Sequence, residues 1–97
     1  MFEEKDKNIT ITFGESLVEN SCVSTYKEIV DYNIESKKFE KISINLKSVK
    51  NIDFFGYQML FYLSKYLLEL LKNDENSLFI ERSKEILKFE EKMGLKL

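Results

Sequence analysis

Few side chains in this chain are equipped for chemistry. Histidine is absent, so the commonest general base near neutral pH is missing, and Cys22 is the one thiol. Cys22 recurs with Tyr26 and Ile29 at helical spacing, an apolar pattern in which a packed thiol is expected rather than a nucleophile. A lone cysteine cannot close an internal disulfide, and without histidine or a second thiol the usual soft-ligand set for zinc is missing, so neither a metal nor a cofactor is expected. Asp53 stands just ahead of a long apolar run, where a carboxylate can accept amide hydrogen bonds at the positive end of a helix; capping is its default role. Glycines at 14, 56 and 94 cannot be written into either standard phosphate-cradling loop, which excludes nucleotide binding of those kinds. The expectation is a chain with no catalytic residues, not an enzyme.

The elements that must position these groups share one core, because 97 residues are too few for two. Apolar residues make up 43% and charged residues 33%, the composition of an ordinary globular domain. Fifteen basic residues are interspersed with seventeen acidic ones, leaving no basic stripe for nucleic acid. The segment 1–7, with Glu3, Glu4 and Asp6, reads as a flexible, solvated tail ahead of a domain over 8–97. Its charges leave no apolar run for a leader, and Ser64, Lys65 and Glu69 interrupt the longest apolar segment, so no leader and no membrane insertion are expected. The unpaired thiol fits a reducing cytoplasm.

Ile9, Ile11 and Phe13 alternate with threonines, the period of a strand buried on one face, and Leu17–Val18 can add a short second strand. Asn20 or Ser21 can then cap a helix that carries Cys22, Tyr26, Ile29 and Val30 to about Glu35. Ile42, Ile44 and Leu46 form the next strand, with Val49 and Ile52 leading through a buried turn to Asp53. From Tyr57 to Asn73 nothing breaks a helix whose stripe is Met59, Leu60, Leu63, Leu67, Leu70 and Leu71. A strand over Ser77–Glu81 and a last helix, capped by Ser83 and ending near Gly94, complete the chain, with Glu90 and Glu91 on its solvent face. Alternating strands and helices predict an α/β fold, a mixed or largely parallel sheet covered by helices.

The stretch from Ile42 to Val49, followed by Ile52-Asp-Phe-Phe-Gly-Tyr-Gln-Met-Leu60, resembles the signature of the STAS family, the anti-sigma-factor antagonists and their relatives. That signature is an apolar strand ending Asp-Leu-Ser-x-Val, then an aspartate, two small residues, a glycine and a leucine-rich helix. Leu46, Val49, Asp53 and Gly56 match, Asn45 stands for the first aspartate, and Gln58-Met59-Leu60 is similar to the Gln-Leu-Leu of one STAS subgroup. The resemblance implies a STAS-like fold and a partner-docking surface at the start of the long helix. In phosphorylation-controlled members the residue before the glycine is a serine or threonine; here it is Phe55, which has no hydroxyl to accept phosphate.

Around that loop the long helix is apolar over a wider arc than one sheet contact requires, with Tyr57, Phe61, Ser64 and Leu68 on a displaced stripe. Asp53, Phe54, Phe55, Gly56, Tyr57 and Phe61 are therefore the candidate partner-binding residues, while the bland alternative is that a phenylalanine plugs the end of the sheet. Three kinds of partner fit. The first is an anti-sigma kinase-like protein, making the chain a non-catalytic regulator. The second, implied by the Gln-Leu-Leu likeness, is the permease or ATPase of a phospholipid-transporting ABC complex, with the chain as its cytoplasmic STAS accessory subunit. The third is a second copy, giving a symmetric homodimer through the same aromatics.

Overall fold

Isoleucines at alternate positions place two strands side by side with one apolar face. In a computed structural model describing all 97 residues, β2 (Asn8–Thr12) and β4 (Lys41–Leu46) pair in parallel, Ile9 beside Ile42 and Ile11 beside Ile44. β6 (Leu78–Arg82) adds in parallel on the far side of β4, setting Ile80 against Ile44. The fourth strand of this sheet is β1 (Phe2–Lys5), antiparallel to β2, so the order is β1-β2-β4-β6 and the sheet is mixed. A separate two-stranded parallel ribbon joins β3 (Ser16–Leu17) to β5 (Asn51–Ile52). The expected α/β architecture is present, with three helices: α1 (Glu19–Tyr32), α2 (Phe54–Leu70) and α3 (Lys84–Met93).

The helices supply the other half of the core. Leu60, Leu63, Leu67 and Leu71 of α2 and its C-terminus, Ile29 of α1 and Ile86 of α3 join the strand residues in one cluster of 15 buried side chains. The opposite sheet face carries Thr10, Ser43 and Phe79 in one row and Thr12, Asn45 and Glu81 in the next. Because that face is left to water, the parallel strands keep a visible alternation, where strands covered on both faces would read as unbroken apolar runs.

Segment 1–7 is not a frayed tail. Residues 2–5 form a sheet edge, joined to β2 through a two-residue turn in which Asp6 takes a left-handed conformation (φ 57°). Phe2 stacks on Tyr32 of α1 with ring centroids 4.0 Å apart, and the Tyr32 hydroxyl donates to Glu4. An edge strand needs only one apolar anchor and tolerates charge on its free side, so its composition imitates that of a solvated segment.

Other boundaries shift for local reasons. Asn33 (φ 56°) turns the chain left-handed and ends α1 at Tyr32, three residues before Glu35, and a single 3-10 turn follows over Ile34–Lys37. α2 starts at Phe54 rather than Tyr57 and stops at Leu70, because Lys72 and Asn73 both take positive φ. Ser83 caps α3, accepting from the Ile86 amide at 3.2 Å, and Gly94 (φ 67°) closes it as expected. Removing the Phe2 ring by Phe2→Ala should lower stability in urea titration by about 1–2 kcal/mol, where a free tail would give no change.

Candidate functional site

The site is organised by Asp53. Its two carboxylate oxygens take different helices: Oδ1 accepts from the Gly56 amide at 2.8 Å, capping α2, and Oδ2 accepts from the Glu19 amide at 2.9 Å, at the first turn of α1. Two helix N-termini thus converge on one negative charge, which stabilises both positive ends. Neither Asn20 nor Ser21 caps α1; Val18 occupies the cap position, and the Ser21 hydroxyl accepts from the Val18 amide at 3.0 Å.

Gly56 lies inside α2 rather than at its boundary, and it is buried against β3. A Cβ built there would come within 1.9 Å of the Leu17 carbonyl oxygen, so only glycine lets the helix start this close to the ribbon. With Gly56 held inward, the helical turn sends the two preceding side chains outward. Phe54 and Phe55 are 52% and 55% exposed, and neither plugs the sheet's end.

Tyr57 does not belong to that surface. Only 2% of it reaches solvent, its ring packs against Phe89 at 5.1 Å, and its hydroxyl donates to Glu90 Oε2 at 2.7 Å. Burial, and then the adjacent Glu90 carboxylate, push the phenol well above its ordinary value, so it stays a hydrogen-bond donor. Phe61 is exposed; Tyr62 meets its ring edge-on at 5.9 Å and the Lys65 ammonium sits 5.1 Å from its centre. Phe54, Phe61 and Tyr62 border a shallow apolar cleft of about 190 Å³ with Leu95, a residue the sequence reading did not assign to the site. The displaced stripe therefore divides, with Tyr57 and Ser64 buried, Leu68 half-buried and Phe61 outside.

Glu90 is the polar residue that sequence reasoning misplaced. Rather than facing solvent, it is buried and fully engaged: besides Tyr57 it accepts from Arg82 Nε at 2.7 Å and from the Leu97 amide at 2.8 Å. Its position four residues after Ile86, on the apolar side of α3, was the available signal. Cys22 is buried, and its thiol is pushed up by burial first and by the Asp53 carboxylate second, away from the thiolate a nucleophile needs.

No three histidine, cysteine, aspartate or glutamate side chains converge as a metal site would require, and no helix is long and apolar enough to cross a membrane. The arrangement presents exposed rings on a capped helix start. Asp53→Ala, which uncaps two helices at once, should cost about 2 kcal/mol in denaturant unfolding. Glu90→Ala, which leaves the Arg82 guanidinium without its carboxylate, should cost about 3 kcal/mol by the same measurement. No protein-family model, curated protein or solved structure matches the chain.

Proposed function

We propose that this chain is a cytoplasmic, non-catalytic regulatory domain of the STAS type that binds another protein through the opening turn of α2. The observation that carries the reading is the outward presentation of Phe54 and Phe55 by a helix start that Asp53 and Gly56 hold in place. Desolvating an aromatic ring against a partner contributes about 2 kcal/mol, and a pre-formed helix start spends little ordering entropy on docking. Phe61 and Leu95 extend the contact along the same flank. The order of elements and the mixed sheet agree with the family resemblance of residues 42–60.

Phe55 occupies the position at which phosphorylation-controlled members carry a hydroxyl. Asp53, Phe54 and Gly56 have none, and the Tyr57 hydroxyl is inside the molecule on Glu90. Docking is then constitutive, with no phosphate-driven release at this turn.

The immobilised chain, incubated with lysate of its source organism, should retain a kinase-like regulator identifiable by mass spectrometry. Phe54→Asp and Phe55→Asp should each weaken that complex by roughly 30-fold. Undiminished recovery with both variants would remove this turn from the interface. Capture of an ABC permease or ATPase would instead favour the accessory-subunit reading suggested by Gln58-Met59-Leu60.

A further inference from the structure

The main sheet ends on one side in a strand whose outer edge is unguarded. β6 is bonded to β4 alone, and no backbone hydrogen bond from Leu78–Arg82 goes elsewhere in the molecule, so the amides and carbonyls of its far side have no partner within the chain. The opposite edge is protected by charge, since β1 turns Glu3, Glu4 and Lys5 to solvent. β6 lacks such protection. It contains no proline, its register with β4 runs unbroken over five residues, and its two charges are already answered, Glu81 by Lys47 at 2.8 Å and Arg82 by Glu90 at 2.7 Å. Phe79 is 46% exposed, the one large apolar side chain on an otherwise polar sheet face. On the inner side Leu78 and Ile80 are half-buried, and a hollow of about 370 Å³ between them and Phe61 and Leu68 of α2 keeps that side of the edge open.

An unpaired backbone row is matched by another extended strand, which carries the same repeat of donors and acceptors. β6 is complementary to itself. A two-fold axis through Ile80 pairs two copies antiparallel over all five residues, so that Leu78 faces Arg82, Phe79 faces Glu81 and Ile80 faces Ile80 of the second copy. No like charges stand directly opposite, and the two Phe79 rings become diagonal neighbours on the free sheet face, within reach of each other. Glu81 is likewise diagonal to its counterpart, but Lys47 sits beside each carboxylate and balances it. Other registers do worse. An axis through Glu81 would set Glu81 against Glu81, and an axis through Phe79 would leave three strand pairs in place of five.

We infer that β6 is a self-association edge, at which a second copy of this chain adds antiparallel and joins two four-stranded sheets into one of eight strands. The contact uses neither Phe54 nor Phe55 and does not depend on the docking reading above. A five-residue edge buries less surface than a standard interface, so the dimer is weak, with a dissociation constant of roughly 10–100 µM.

Sedimentation of the full chain from about 10 µM to about 1 mM should show the mass rising from one copy to two and no further. Over the same range, concentration-dependent amide shifts should fall on Leu78–Arg82, and the outward-facing amides of that strand should gain protection from hydrogen exchange. In a mixture of isotope-labelled and unlabelled chain, side-chain contacts should link Leu78 of one copy to Arg82 of the other. Phe79→Glu, on an exposed position, sets a carboxylate against Glu81 across the seam and should weaken the dimer at least about 10-fold, with unchanged circular dichroism. Phe54→Asp should leave the dimer affinity within about twofold. A monomer at about 1 mM, assembly beyond two copies, shifts centred on Phe54, Phe55 and Phe61, contacts that place Leu78 away from Arg82, or indifference to Phe79→Glu would each overturn the inference. Phe54→Asp is also the variant expected to break the complex with another protein, so failure of the docking turn and failure of the β6 edge are told apart by which variant disrupts which complex.

Discussion

A single carboxylate ties the starts of two helices together. Asp53 accepts amides from residues 34 positions apart in one direction and three in the other, so the start of α1 and the start of α2 cannot move independently. Each bond alone is an ordinary cap; what matters is that both draw on the same charge, at a point where two helix dipoles present their positive ends. The β3–β5 ribbon completes the junction, since the Asp53 amide donates to the Leu17 carbonyl at 3.3 Å and Gly56 rests against the same residue. Without that close approach α2 would lift away from the sheet and its first rings would have no defined direction.

The second anchor is polar and buried. Glu90 gathers a phenol, a guanidinium and a backbone amide, each within 2.8 Å, and no buried side-chain polar atom in the molecule lacks a partner. A carboxylate taken out of water in this way is tolerated because its acceptor sites are met and a cation balances it. The consequence for the surface is indirect: Tyr57, held inward by Glu90, fixes the rotation of α2 and so leaves Phe54, Phe55, Phe61 and Tyr62 facing solvent. The Arg82–Glu90 pair also links β6 to α3 and reaches Leu97, beside the segment that places Leu95 at the apolar cleft.

The outer surface is divided by these anchors into unlike parts. The free sheet face is polar apart from Phe79, with Lys47 and Glu81 paired across it at 2.8 Å, and offers little for a partner to desolvate. The helical side concentrates the exposed rings. That contrast, within one small domain, is the physical basis for reading the helical side as the face that meets other molecules.

Strict alternation in Ile9–Phe13 and Ile42–Leu46, and the unbroken leucine stripe of α2, determined the α/β class and the order of β2, β4 and α2 from sequence alone. These signals survive because each depends only on which face of a local element meets the core. The strand Phe2–Lys5 escaped because an edge strand is bonded on one side only and its charges look like those of a tail. The cap of α1 escaped because its acceptor comes from Asp53, far along the chain, and no rule of neighbouring residues can supply it. Tyr57 and Glu90 were each misread as surface residues, since a phenol and a carboxylate look solvated until the fold pairs them. Which aromatics lie outside was likewise a tertiary decision: the apolar arc of α2 is wider than one contact can cover, and only the positions of the sheet, α1 and α3 select the part of it that stays in water.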